Sequence, residues 1–227
     1  MDIPLKDLSL LKIPIQKWGT MMLDLPWPEI LGELWKYGRK VMRGLSTEGM
    51  YEVLEFESTL ELKDNRGARA NVKKRQKVRY LQDNIIAYQD HAWGDGEILI
   101  NYRCTPGKPV DRYRPGKKTL ILISRREVKH RGDVDTYNIE WDIRKGFTRS
   151  KELWETEIKH RTKELKVEVI FPKTRPPLQV LLVEGMRRRT RVLNGDHLKK
   201  LPARRWLVPW EITRPRLYER YILQWEW

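Results

Sequence analysis

From Tyr51 to the last residue, apolar and polar side chains exchange at every second position over short runs. Each run ends in a turn signal: "DNRG", "WGDG", "TPGKP", "RPGK", "HRGD", "HRTKE", "PKTRPP" and "LNGD". A period of two belongs to an extended strand, whose successive side chains leave on opposite faces. The runs predict strands near residues 51–63, 69–81, 97–104, 118–128, 134–144, 152–160, 164–171, 177–184, 188–193, 204–212 and 217–227. Strands so closely spaced, with no helical pattern between them, specify an antiparallel sandwich or barrel. The fold expected is mainly β: an antiparallel β-sandwich (or open barrel) over residues 50–227, preceded by an N-terminal extension over residues 1–49.

The extension has a different period. After Pro4, Pro14 and Pro26, the stretch "PEILGELWKYGRKVMRGL" (28–45) carries apolar residues at three-to-four spacing, which predicts an amphipathic α-helix. Pro28 suits its first turn and Gly44 its end. Glu29 and Glu33 come first and Lys36, Arg39, Lys40 and Arg43 follow, in the order the helix dipole favours. The face formed by Ile30, Leu31, Leu34, Trp35, Val41 and Met42 is expected to be covered, either by the rest of the protein or by a partner.

The first two strands predict their own register. In "LEFESTLELKDNRGARANVKKRQKVRYL" (54–81), Leu54, Phe56, Leu60 and Leu62 share one face, and Glu55, Glu57 and Glu61 the other. Beyond the turn, Val72, Val78 and Tyr80 oppose Lys73, Arg75, Lys77 and Arg79. A three-residue turn with Gly67 at positive φ is a favoured hairpin connection. It sets Leu54 opposite Val78, Leu60 opposite Val72, Glu55 opposite Lys77 and Glu57 opposite Arg75. The basic run is then neutralised by its acidic neighbour and is not a binding patch.

Charge is the main pointer to a partner. Residues 1–50 carry seven basic and six acidic side chains, whereas residues 51–227 carry 39 and 25. Such a surplus favours an anionic partner. Two basic regions have no acidic strand beside them in sequence. One holds Arg187, Arg188, Arg189, Arg191, Lys199, Lys200, Arg204 and Arg205; the other holds Arg112, Arg114, Lys117 and Lys118. Arginine binds phosphate through a planar fork. These residues are therefore the expected nucleic-acid-binding surface, contacting phosphates of RNA or DNA. The alternative is an accessory subunit that meets an acidic protein through the 28–45 helix and the basic face. Peripheral binding to an anionic membrane ranks third.

Catalytic signals are weak. The chain has no Walker, dinucleotide or G-x-S-x-G motif, and its four histidines have no ligand spacing. "YQDHAWGDGE" (88–97) gathers Asp90, His91, Asp95 and Glu97 but matches no calcium loop; it reads as a polar loop anchored by Trp93. His130 sits in a hairpin turn. Ten tryptophans are read chiefly as core, with Trp225 and Trp227 as candidates for stacking. The single Cys104 excludes an internal disulfide. No cofactor or metal is expected. A start without a secretory pattern, and the lack of a ~20-residue apolar run, lead to an expected cytoplasmic location.

Overall fold

The computed structural model describes residues 49–114, 118–193 and 195–227. The predicted 28–45 helix, with Ile30, Leu31, Leu34, Trp35, Val41 and Met42, lies outside the described residues. What is described is mainly β, with two short 3-10 turns at Gly195–His197 and Pro202–Arg204. The strands are β1 (Tyr51–Leu62), β2 (Arg69–Tyr80), β3 (Ile85–Ala92), β4 (Glu97–Thr105), β5 (Lys108–Tyr113), β6 (Thr119–Lys129) and β7 (Val134–Arg144). They continue with β8 (Lys151–Glu157), β9 (Thr162–Phe171), β10 (Gln179–Glu184), β11 (Arg189–Val192), β12 (Lys199–Lys200), β13 (Trp206–Thr213) and β14 (Arg220–Glu226). No helix among the described residues is long and apolar enough to cross a membrane.

Three sheets result. The largest has the order β12-β13-β9-β1-β2-β7-β4, the second β11-β10-β14-β8 and the third β3-β6-β5. Both smaller sheets pack on the same face of the large one. Phe171 of β9 meets Trp225 of β14, with ring centres 5.5 Å apart. Tyr137 of β7 stacks on Tyr88 of β3 at 4.0 Å. The layering is thus sandwich-like, with a second layer split into two pieces.

The β1–β2 hairpin has the predicted turn. Gly67 has φ +66°, and the Asp64 carboxylate accepts the backbone N–H groups of Arg66 and Ala68. Leu60 faces Val72, Glu55 faces Lys77 and Glu57 faces Arg75. Arg75 bonds Glu55 at 2.7 Å, Lys77 bonds Glu55 at 2.9 Å and Arg79 bonds Glu52 at 3.1 Å. The basic run is paired with its neighbour, as its charge pattern requires.

Several expectations need correction. Leu54 does not face Val78: a bulge between Val53 and Glu55 gives Val53 that place, so Leu54 leaves the core face. The large sheet is not purely antiparallel, because β1 runs parallel to β9. That pairing joins segments a hundred residues apart, and no local pattern encodes it. The "YQDHA" segment is not a loop but the end of β3, and Asp90 is buried there. Strand β5 is not predicted by alternation, because all six of its residues are exposed and it has no apolar face. Trp225 and Trp227 are buried and unavailable for stacking.

Candidate functional site

The predicted basic residues lie on strands of three sheets and on the turns between them. Arg187 sits in a turn and reaches Glu184 at 3.5 Å. Arg188 and Arg204 occupy turns with positive φ. Arg189 and Arg191 are exposed on β11, the edge of the four-stranded sheet. Lys199 and Lys200 form β12, at the edge of the seven-stranded sheet, where Lys200 lies over the Trp206 ring. Arg205 is bonded to Glu61 at 2.5 Å. Arg112, on the three-stranded sheet, covers the Tyr102 ring, and Arg114 is an exposed residue beyond that strand. Lys118 is bonded to Glu157 at 2.5 Å and lies over Trp93. Lys117 lies outside the described residues. The clusters are thus divided among three sheets, and Arg187, Arg205 and Lys118 have acidic partners.

A different region has the geometry of a site. Because the second layer is split, a cleft of about 360 Å³ opens over the large sheet. Its size is in the ~300–1,000 Å³ range of ligand pockets. Its floor includes Phe56, Ser58, Lys74, Trp141 and Ile143 from β1, β2 and β7. One side is His91 to Asp95, at the end of β3 and beyond it. The other is strand β8, every residue of which from Lys151 to Glu157 lines the cleft. Side chains of alternate residues leave on opposite faces. A strand that shows all its residues to one cavity shows it an edge.

The hydrogen bonds of β8 say which groups lie on that edge. It pairs only with β14, in unbroken register from Lys151↔Glu226 to Glu157↔Arg220. Trp227 N–H donates to the Ser150 carbonyl, and Ile158 N–H donates to the Glu219 carbonyl. Even-numbered residues therefore face β14, since an antiparallel ladder alternates. The N–H and C=O groups of Lys151, Leu153, Glu155 and Glu157 point away from β14, toward the cleft.

The floor carries polar groups in an otherwise apolar surface. Lys74 and Ser58 are cross-strand neighbours, 8% and 1% exposed. Lys74 Nζ donates to Asp90 at 3.1 Å and to the His91 carbonyl at 2.8 Å, and sits over the Trp141 ring. Tyr102 also donates to Asp90, at 3.0 Å. Ser58 Oγ accepts from Trp154 Nε1 at 3.3 Å. The Trp141 indole N–H is buried and has no partner. Alternation alone does not single these residues out, but the sequence carries a signal. Lys74 and Gln76 interrupt the apolar face of Val72, Val78 and Tyr80, and Ser58 interrupts that of Phe56 and Leu60. In the observed register the interruptions coincide: Ser58 faces Lys74, and Phe56 faces Gln76.

A serine beside a lysine can serve as a nucleophile and its base. Here no hydrogen bond joins them, and Lys74 is engaged with Asp90. The floor is built to donate hydrogen bonds. Burial raises the carboxyls of Glu152 and Glu155 above the usual range. His91, stacked on Trp93 at 5.4 Å, is held well below its ordinary value by burial and then by Lys74, Lys159, Lys118 and His160. Its folded form stays neutral where an unfolded histidine, near 6.5, takes up a proton. The unfolded state then binds more protons as pH falls, so stability falls with it. Between pH 7 and 5.5, wild type is expected to lose stability more steeply than His91→Gln. Parallel urea midpoints for the two proteins would contradict this. No group of three or more metal-ligating side chains occurs among the described residues.

Fold and site together describe a sandwich-like β domain with a cleft between the two pieces of its second layer. No family model and no curated protein matches the sequence. Among solved structures, an M1 zinc metallopeptidase from Deinococcus radiodurans aligns over 77% of this chain and 42% of its own, at 6% identity and TM-score 0.44. A protein from Parabacteroides distasonis, described as a "putative protease", aligns over 80% of this chain and 41% of its own, at 10% identity and TM-score 0.45. The chain thus spans less than half the length of either. The expectation of a basic nucleic-acid-binding module is corrected, because Arg187, Arg205 and Lys118 of the expected surface are held by Glu184, Glu61 and Glu157.

Proposed function

We propose that this β domain binds an extended peptide segment of a partner chain, which adds as a strand along β8. The observation that carries the reading is that all seven residues of β8 line the cleft. An edge of this kind offers main-chain hydrogen bonds to an incoming strand, and the floor offers surface for its alternate side chains. Phe56, Trp141, Phe147 and Trp154 provide the apolar part of that surface. The finer description of the fold, two layers of a sandwich, supports the same reading, because the gap in one layer has the character of a missing strand.

The test uses a labelled heptapeptide of alternating Thr and Val and fluorescence polarisation. Only alternate N–H groups of an added strand face β8. N-methylation of one alternate set is expected to abolish binding, and of the other to leave most of it. Leu153→Pro removes one outward N–H but no bond to β14, and edge strands accept proline. It should weaken binding at least tenfold in a folded domain. Equal effects of the two methylated sets would reject strand addition.

A further inference from the structure

We infer that the cleft selects a peptide with a carboxylate side chain over the Ser58–Lys74–Trp141 patch. This rests on the peptide reading above and names the chemistry of the occupant. Three buried donors meet on the floor without enough acceptors. Ser58 spends its oxygen on Trp154, so its hydroxyl proton is left over. Lys74 has three protons and two acceptors, Asp90 and the His91 carbonyl. Trp141 has an indole N–H with none. Ser58 lies opposite Lys74, and Trp141 lies opposite Val72, one step along the same face. Buried donors without acceptors are costly, and an anionic oxygen is the strongest acceptor for them.

The cleft lining carries four carboxylates, Asp95, Glu152, Glu155 and Glu157, and three of them are engaged by basic side chains or a backbone N–H. Lys74, Lys118, Lys159 and His160 all disfavour a proton on His91. Glu157 is engaged by Lys118 and Lys159. Glu152 lies on the cleft side of β8 but accepts the Arg149 N–H at 2.6 Å; Arg149 in turn pairs with Asp95. A lysine on the peptide would instead face three donors, one of them the Lys74 ammonium.

The experiment compares peptides Ac-Thr-Val-Thr-Xaa-Thr-Val-Thr-NH2 with Xaa as Glu, Gln or Lys, by polarisation at low salt. Wild type should bind the Glu peptide at least tenfold more tightly than the Lys peptide, with Gln between them. Trp141→Phe keeps the ring and removes the N–H. It should reduce the Glu-over-Gln preference severalfold and leave Gln binding nearly unchanged. The double variant Lys74→Met with Asp90→Asn removes the buried pair together and should erase the preference for Glu over Lys. If wild type binds all three peptides alike, or if both variants keep its preference, the carboxylate inference fails while strand addition stands. If no peptide binds, both readings fail.

Discussion

Lys74→Ala is expected to destabilise the domain by about 3–5 kcal/mol, the usual cost of leaving one member of a buried ion pair alone. Asp90 is 2% exposed, and without Lys74 it keeps only the Tyr102 hydroxyl among its side-chain partners. The double variant Lys74→Met with Asp90→Asn should recover most of the loss, because replacing both charges by uncharged groups of similar volume is often close to neutral. The measurement is a double-mutant cycle in urea over Lys74→Met, Asp90→Asn and the two together, with an expected coupling of at least about 2 kcal/mol. Single variants that each cost under about 1 kcal/mol would show that water reaches the pair, and that the floor is wetter than its burial indicates.

Gly67→Ala should be of similar severity for a different reason. Gly67 has φ +66°, where an L side chain is strained. A Cβ there would overlap the carbonyl of Phe147 and come within 2.9 Å of the Trp227 ring. The overlap is with backbone, because the 145–147 segment is bonded to the turn: Phe147 N–H donates to Gly67 and Lys145 N–H to Ala68. Strain and overlap together should cost about 4 kcal/mol, or roughly 10 °C in melting temperature for a domain of this size. Gly132→Ala is the control. It has φ +95° but nothing within 4 Å of the added carbon, so it should lose only about 1 kcal/mol. Equal losses in the two variants would mean that the Phe147 segment moves away freely.

Both substitutions fall in or beside the hairpin that is most legible in the sequence. Its turn and most of its register follow from where apolar side chains stand relative to one glycine. The bulge at Leu54 is not legible, since Leu54 and Val53 are both apolar and either can stand opposite Val78. The site is half legible. The polar interruptions at Ser58, Lys74 and Gln76 are visible, and the register aligns them. Their meaning depends on Asp90, which lies in a segment that reads as a loop, and on Trp154, which reaches Ser58 from nearly a hundred residues away.

Part of the expected basic surface is held by acids that lie far away in the sequence. Proximity in sequence placed eight cationic residues round one turn, but β11 and β12 belong to different sheets. Glu61, the partner of Arg205, is 144 residues away. Local periodicity therefore determined that the chain is β-rich from Tyr51 onward, which faces are apolar and how the first two strands pair. These follow from side-chain alternation and turn chemistry, which act over a few residues. Only the tertiary structure decided that β1 joins β9 in parallel, that the second layer is split, and that the edge of β8 opens on a cleft. Those features come from contacts between distant strands, where burial of the shared face selects the partner and no local pattern records it.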